Sequence, residues 1–325
     1  MTTAVTMPGV DSAVPWHYGD PLREQRVLRT GAGVVDRSNR DVLQVTGEDR
    51  LDWLHTICSQ HLTNLVDGDA TQALVLSPHG HVEQDWQLVE LDGTVWIDTE
   101  PGAATTVLDY LEKMRFLRRV EPVDVSVDWA VVTLVGPATS AVLALAGLPE
   151  PDLDRATALE GGGFARASSA GTDLVVPRGS AEHVRLRLVE AGAVAAGMWA
   201  FEALRVEARR PRLGFETDHR TIPHEIGLIG TAVHLDKGCY RGQETVARVH
   251  NLGKPPRRLV LIHLAGESDE LPEPGTAIES GGRTVGFVGT AVQHYELGPI
   301  ALAVVKRSLP DDAELRVAGS PVTID

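Results

Sequence analysis

The sequence predicts an α+β fold distributed over two or three domains. The chain has 325 residues, which is more than one ordinary hydrophobic core organises. Helical and strand patterns both occur before about residue 254. After Pro255 and Pro256 the sequence changes to short alternating runs separated by Gly, Pro and Asp. Such runs are typical of a small all-β domain, so the C-terminal part is predicted to be all-β.

The first part of the chain contains an amphipathic helix and a group of strands. In the segment 46–62 a Thr is followed three residues later by Asp, and apolar residues then recur at helical spacing. Cys58 lies on the apolar stripe and is predicted to be a small core residue. Residues 73–100 form β-rich runs broken by the turn signals "SPHG" and "LDGT". A helix is predicted to follow at about 102–117.

The middle of the chain repeats a pattern of strand followed by helix. "WAVVTLVGP" is a short apolar strand, and a helix begins near Pro137 and ends near Gly147. "GSAEHVRLRLVEAG" contains a second helix, with Ser180 as its cap and Gly192 as its end. A third helix is predicted over about 199–209, before a proline that ends it.

The composition limits the kinds of partner that we expect. The formal net charge is -15, 43% of the residues are hydrophobic and 23% are charged. No run approaches the roughly 20 apolar residues of a membrane-spanning helix, and the acidic charge argues against broad binding to nucleic acid or to an anionic membrane. The first residues lack a basic region followed by an apolar run, so the cytoplasm is the expected location. The local clusters "EKMRFLRRV", "RVEARRPR" and "ARVHNLGKPPRR" either bind a small anion or are solvated surface charge.

Glu207 is an acidic residue on an otherwise small and apolar helix face. Helical spacing places it on one stripe with Ala200, Ala203 and Leu204. A carboxylate in such surroundings needs donors, because an unpaired buried charge costs several kcal/mol. Glu207 is therefore predicted either to pair with a neighbouring Arg or to bind a ligand, and spacing alone leaves both interpretations open.

Cys239 lies in the segment "DKGCYRGQETVAR" of a chain that has one other cysteine. Two glycines permit tight turns there, and a helix is predicted to begin just after them. A thiol near a helix N-terminus and near Lys237 has its thiolate favoured, which points to a reactive sulfur. The alternative is that Cys239 packs in a loop that the glycines merely shape. No CxxC or HExxH motif occurs, and no metal site is predicted.

The segment around Cys239 resembles the signature of the YgfZ family of folate-binding proteins. The family pattern is Lys-Gly-Cys-Tyr-x-Gly-Gln-Glu, and residues 237–244 match it without a gap. From about Trp16 onward the chain is also similar to the wider fold family of the glycine-cleavage aminomethyltransferase. The segments that carry this second similarity are "GAGVVDRS", "LVLSPHGHVEQDW" and "AGAVAAGMWAFEALRVEARRPRLGFETD".

The resemblance implies an α+β, three-domain GcvT/YgfZ-like arrangement around a central folate groove, with a small C-terminal β-barrel. A discontinuous N-terminal α+β domain would cover 1–46 and 125–235, and a second α+β domain would cover 47–124. The signature loop and helix would occupy 236–254, and the barrel 255–325.

The resemblance also implies a bound tetrahydrofolate or one-carbon derivative. Glu207 falls at the position of the pterin-binding glutamate in the transferases. The transferases carry two acidic residues in their central strand, where this chain has Gln84 followed by Asp85. Loss of the first carboxylate casts doubt on transfer chemistry. The further cofactor-binding residues implied are Tyr240, Gly242, Gln243, Glu244 and Arg248.

The function implied is that of an accessory protein for the assembly or repair of iron-sulfur clusters in client enzymes, including tRNA-modifying ones, under oxidative stress. Cys239 and Lys237 would be its catalytic residues, and client enzymes or cluster-assembly proteins its partners. No direct contact with nucleic acid and no membrane are expected. Two alternatives remain: a folate-dependent one-carbon transferase of the aminomethyltransferase or demethylase type, and an adaptor without catalysis.

Overall fold

The computed structural model describes residues 3–265, 270–310 and 312–325. The predicted terminal domains also include residues 1–2, 266–269 and 311, which lie outside the described residues. The chain divides into two compact units. Unit 1 is Met1–Ala73 with Asp85–Phe201, and unit 2 is Leu74–Gln84 with Glu202–Asp325.

The elements are numbered in chain order within the described residues. The helices are α1 (Pro21–Thr30), α2 (Arg50–Ile57), α3 (Ala104–Arg115), α4 (Thr139–Leu145), α5 (Ala181–Glu190), α6 (Met198–Glu207) and α7 (Gln243–Leu252). The first eleven strands are β1 (Gly33–Asp36), β2 (Asp41–Thr46), β3 (Ala70–Leu76), β4 (Val82–Leu91), β5 (Thr94–Thr99), β6 (Glu121–Asp124), β7 (Trp129–Val135), β8 (Ala156–Ala158), β9 (Phe164–Ser168), β10 (Gly171–Pro177) and β11 (Val194–Ala196). The last six are β12 (Arg257–Leu264), β13 (Ala277–Ser280), β14 (Arg283–His294), β15 (Gly298–Lys306), β16 (Leu315–Val317) and β17 (Ser320–Ile324).

Unit 1 contains a sheet in the order β11-β1-β7-β10-β9-β8. The apolar run of β7 is buried on both faces, which is why its sequence shows no polar alternation. Val132 and Leu134 belong to the core that Leu143 of α4 and Leu188 of α5 complete. Val131 belongs instead to a separate core on the other side. The strand is therefore packed between two layers.

A second sheet runs in the order β3-β4-β5-β2-β6. Val42 and Val89 from this sheet share one core with Val131 and Val175 from the first sheet. Between the sheets of unit 1, Arg166 forms buried ion pairs with Asp98 and Asp173. Pairing is required there because an isolated buried charge is strongly unfavourable.

The helices of unit 1 agree in place, but not in every boundary, with the sequence patterns. The helix predicted over 46–62 spans only Arg50–Ile57. Cys58 ends it with extended backbone and is 1% exposed, as a core residue should be. Ser180 stands at the N-cap of α5, yet its side chain makes no capping hydrogen bond in the structure.

Unit 2 contains a closed barrel in the order β12-β15-β14-β13-β16-β17, counted over the described residues. Ile262 of β12 pairs with Ile324 of β17 and closes it. Val260, Val288 and Ala303 fill its interior with neighbouring apolar side chains. Closure pairs the first strand of the sheet with the last, which is how short antiparallel strands form a stable domain. The predicted α+β class with a C-terminal β-barrel is confirmed.

The end of α6 packs on the barrel within unit 2. Ala203 and Val206 share a core with Val292 of β14 and with Ile300 and Leu302 of β15. This contact fixes the last turn of the helix against two barrel strands. In the part of the chain that the structure describes, no helix combines the length and the apolar character needed to cross a membrane.

Candidate functional site

The signature segment, residues 236–254, contains a loop followed by α7. The helix begins at Gln243, and its N-cap residue Gly242 has a φ of +82°. Cys239 lies three residues before this cap and is exposed. The predicted helix is therefore present, and the thiol lies in the loop that leads into it.

Two glycines allow the signature segment to approach the tip segment, Leu74–Gln84, very closely. A Cβ on Gly242 would lie 2.6 Å from the Ser77 carbonyl oxygen. A Cβ on Gly80 would lie 2.7 Å from Cβ of Thr245. Both glycines have positive φ, a conformation that side chains other than glycine rarely adopt. Gly242 therefore has a packing role in addition to any role toward a ligand.

Lys237 and Tyr240 form the buried underside of the signature loop. Lys237 is 5% exposed, and its Nζ lies 4.9 Å from the centroid of the Tyr240 ring. Tyr240 belongs to a core with Leu76 and Val246. The Gln243 side-chain amide donates a hydrogen bond to the Lys237 carbonyl over 3.4 Å. A cation over an aromatic ring stabilises such a loop, so the ammonium is directed inward while Cys239 faces solvent.

The polar surface of the segment carries charges of both signs. Arg241 forms an ion pair with Glu83 of the tip segment over 3.1 Å. Glu244 and Arg248 of α7 are exposed. Gln84, by contrast, is buried. Of the predicted cofactor-binding residues in unit 2, Glu244 and Arg248 are accessible, whereas Gln84 lies inside the fold.

Glu207 ends α6, with its side chain 25% exposed. The helix stops there because Arg209 has a φ of +52° and Pro211 follows. Glu207 Oε2 lies 3.7 Å from Nε2 of His294, which is the last residue of β14. The structure places a histidine from the barrel beside this carboxylate, a contact that spacing did not suggest. The two interpretations drawn from spacing, an arginine partner or a bound ligand, stay predictions.

His294 was missed by sequence reasoning. It is 1% exposed, and its Nδ1 accepts the backbone N–H groups of Glu296 over 3.2 Å and Leu297 over 3.1 Å. A histidine at the end of an alternating strand gives no local signal of a contact with a helix 87 positions earlier. The barrel fold alone brings the two together.

A buried ion network supports the same helix. Arg205 pairs with Glu202 over 2.7 Å and with Glu216 over 3.0 Å. Burial lowers the pKa of Arg205, but the two carboxylates outweigh this and raise it, so the guanidinium stays charged. Glu216 also accepts the Thr290 backbone N–H over 2.7 Å and the Arg212 backbone N–H over 2.7 Å. These bonds tie α6 to β14, so the position of Glu207 is held by polar as well as apolar contacts.

Asp85 belongs to unit 1 and is partly buried on β4. Burial raises its pKa to about 6, although the Gln72 amide, which donates over 2.8 and 3.0 Å, opposes the rise. Glu100 and Asp98 add to the rise through like-charge repulsion, and Arg40 opposes it. A carboxyl that titrates near neutral pH is suited to general acid or base chemistry.

No group of three or more His, Cys, Asp or Glu side chains arranged to hold a metal ion occurs among the described residues. Unit 2 offers an exposed thiol at Cys239, the carboxylate of Glu207 beside His294, and exposed cations such as Arg248.

Two domain families match the sequence. The GCVT N-terminal domain matches residues 2–158, and the CAF17 C-terminal β-barrel domain matches residues 257–325. An aminomethyltransferase of Synechococcus elongatus is 30% identical over 91% of this chain and 83% of its own length. A chloroplastic relative from Arabidopsis thaliana is 26% identical over 79% of this chain, which spans 61% of that relative's length.

A solved structure is similar over nearly the whole chain. The glycine cleavage system aminomethyltransferase T of Bartonella henselae matches with a TM-score of 0.88 at 20% identity, covering 99% of this chain and 93% of the other. At that identity the likeness shows the fold alone. The Synechococcus relative and the two domain matches identify the relationship: the chain belongs to the family of GCVT-domain proteins that includes that aminomethyltransferase, and it carries a CAF17-type β-barrel at its C-terminal side.

Proposed function

We propose that this protein binds tetrahydrofolate, or a one-carbon derivative of it, and supports the assembly or repair of iron-sulfur clusters in client enzymes, including tRNA-modifying ones. Its working location is the cytoplasm. Its partners are the folate and client enzymes or cluster-assembly proteins. The observation that carries the proposal is the exposed Cys239 on a loop locked by Lys237, Tyr240 and Gly242, in the same unit as the partly exposed carboxylate of Glu207.

The residues present fit a folate. A pterin offers two parallel donors, N3–H and the 2-amino group, and a carboxylate is the matching acceptor pair. Glu207 supplies such a carboxylate at a helix end that apolar and ionic contacts hold in place. Arg248 is an exposed cation of the kind that binds the glutamate tail. The folate, when bound, would carry the one-carbon group, while these side chains orient it.

Cys239 is the proposed contact with the client cluster, which is cargo and not a resident group. Thiolate sulfur is a ligand that iron-sulfur clusters prefer. The thiol is exposed, and the buried Lys237 and Tyr240 on either side of it in sequence fix the backbone from below. Gln243, Gly242 and Glu244 then shape the start of the following helix. A rigid loop with one outward sulfur suits brief contact with a partner protein.

The test is complementation of a bacterial strain that lacks its own YgfZ-type protein. The activity of an iron-sulfur enzyme is measured under oxidative stress with wild type, Cys239→Ala and Glu207→Gln at matched expression. Asp236→Asn is the control, because Asp236 is an exposed residue of the same loop and has no proposed role. We expect rescue by wild type and by the control, and loss of rescue by Cys239→Ala.

The outcomes separate the two parts of the proposal. Loss of rescue with Glu207→Gln as well ties the thiol's function to folate. Full rescue by Cys239→Ala, at wild-type protein levels, would refute the role of the thiol. Failure of wild-type protein to bind 5-formyltetrahydrofolate in calorimetry would refute the folate site and favour an adaptor without a cofactor.

A second candidate function is one-carbon transfer of the aminomethyltransferase or demethylase type. It is supported by Asp85, whose pKa of about 6 suits proton transfer near neutral pH. The assay is transfer of a one-carbon group from an amine donor to tetrahydrofolate. Activity that Asp85→Asn abolishes and Cys239→Ala leaves intact would establish this function in place of the first.

A further inference from the structure

His294 is held in one tautomer by the turn that follows its strand. Its Nδ1 accepts two backbone N–H groups, from Glu296 and Leu297. An imidazole nitrogen that accepts hydrogen bonds carries no proton, so the proton of the neutral ring lies on Nε2. Nε2 is the atom that faces Oε2 of Glu207 at 3.7 Å. His294 thus directs an N–H dipole toward one oxygen of that carboxylate.

Both partners of this contact are held in place by the fold around them. His294 ends β14, where it pairs with Gly298 of β15, and its ring lies 4.8 Å from the Tyr295 ring. Glu207 is carried by the last turn of α6, which packs on Val292 two residues before His294. The barrel therefore fixes the position of the His294 ring, and the ring in turn can restrict the orientation of the Glu207 carboxylate.

We infer that His294 is a positioning residue that fixes the plane of the Glu207 carboxylate for recognition of the amino-pyrimidine edge of a pterin. The inference rests on the proposed folate site. Two parallel donors bind a carboxylate well only when both of its oxygens lie in the plane of those donors. A dipole directed at Oε2 restricts rotation of the carboxylate, so less conformational entropy is lost on binding. Recognition of the edge is then a joint property of α6 and the barrel.

Two substitutions separate the contact from the structural role of the ring. His294→Asn places an amide oxygen where Nδ1 was, so the turn keeps its acceptor, but nothing remains at the place of Nε2. His294→Gln places an amide N–H near the place of Nε2 and removes the acceptor for the turn. His263→Asn is the matched control, because His263 is a barrel histidine on β12 whose Nε2 lies 3.9 Å from a carboxylate oxygen of Asp325.

The measurement is the affinity of the purified full chain for two probes by calorimetry. One probe is 5-formyltetrahydrofolate, and the other is its analogue with a methyl group in place of the 2-amino group. We expect His294→Asn to weaken binding of the first probe about five- to tenfold. Its affinity for the second probe should equal that of wild type, since that probe lacks one of the two donors. His294→Gln should bind the first probe more tightly than His294→Asn does, although it melts at a lower temperature.

Each of the following outcomes overturns the inference, and the last one overturns the folate site as well. Wild-type affinity of His294→Asn for the first probe, while Glu207→Gln is weakened, overturns the inference and leaves the folate site standing. An equal loss for both probes also overturns it, because a merely structural role predicts that pattern. Weaker binding of the first probe by His294→Gln than by His294→Asn does the same. If Glu207→Gln binds as tightly as wild type, or if wild type binds neither probe, the folate site and the inference fail together.

Discussion

Asp85→Asn is expected to increase the free energy of unfolding at neutral pH. Burial raises the pKa of Asp85 to about 6 from an ordinary value of 3.8. The ionised carboxylate is therefore less favourable in the folded than in the unfolded protein. Asparagine carries no charge, and its carbonyl oxygen still accepts from the Gln72 amide, so the substitution removes the cost and keeps a hydrogen bond.

The magnitude follows from the pKa difference. One pKa unit corresponds to about 1.36 kcal/mol, so a rise from 3.8 to about 6 corresponds to about 3 kcal/mol. Asp85 is partly exposed, and solvent screening reduces this to about 1 to 2 kcal/mol. The cost is absent below pH 3.8, grows as pH rises toward about 6, and is complete above that value. The advantage of the variant should follow the same course.

The assay is urea unfolding of wild type and Asp85→Asn at several pH values from 4 to 8, followed by tryptophan fluorescence. Other titrating groups are common to both proteins and cancel in the difference. Asp152→Asn, at an exposed loop position, is the control for the loss of one surface carboxylate. A flat difference for Asp85→Asn, or one that falls as pH rises, would refute the reasoning.

Three further predictions concern unit 2. Gly242→Ala should lower the free energy of unfolding by about 2 to 4 kcal/mol, measured by urea unfolding, because the added Cβ would collide with the Ser77 carbonyl oxygen and φ is positive. Gly230 also has a positive φ but has open space around it, so Gly230→Ala should lower the free energy of unfolding by only about 1 kcal/mol. Glu216→Gln should cost about 3 to 5 kcal/mol in the same assay, since it leaves Arg205 partly uncompensated in a buried site. Arg257→Met should lower the free energy of unfolding at pH 7, and lower it less below pH 4. Burial raises the pKa of Asp218, but hydrogen bonds from Arg257 outweigh this and lower it, so the stability that this pair contributes is lost as the carboxylate becomes protonated at low pH. An equal loss at both pH values would contradict this.

The sequence predicted those features that depend on local chemistry. The alternation after Pro256 indicated the barrel strands, and Pro211 indicated the end of α6. The helix after the signature followed from its glycines, although Gly242 also has a packing role that spacing cannot reveal. Hydrophobic periodicity and helix- or strand-ending residues such as Gly and Pro are properties of short segments, so they can be recognised from the sequence alone.

The features that the sequence did not predict depend on contacts between distant segments. The contact of the Lys237 ammonium with the Tyr240 ring has no local signal in the sequence, and the role of Lys237 beside Cys239 stays a prediction. The buried pair of Arg205 and Glu216 has no local signal, because charged residues on a helix are usually solvated. The contact of His294 with Glu207 depends on the pairing register of β14 and β15 in the barrel, which the sequence does not specify locally. In each case the missing information was which atoms tertiary packing removes from water.

The barrel that closes when Ile324 pairs with Ile262 has a consequence for biosynthesis. The strand that completes it lies about sixty positions after the one it joins, so the ribosome must deliver both before closure. Until then, the strands against which the last turn of α6 packs belong to an incomplete domain. Glu207 is synthesised before the barrel, but the domain on which its helix packs is complete only once translation has passed β17.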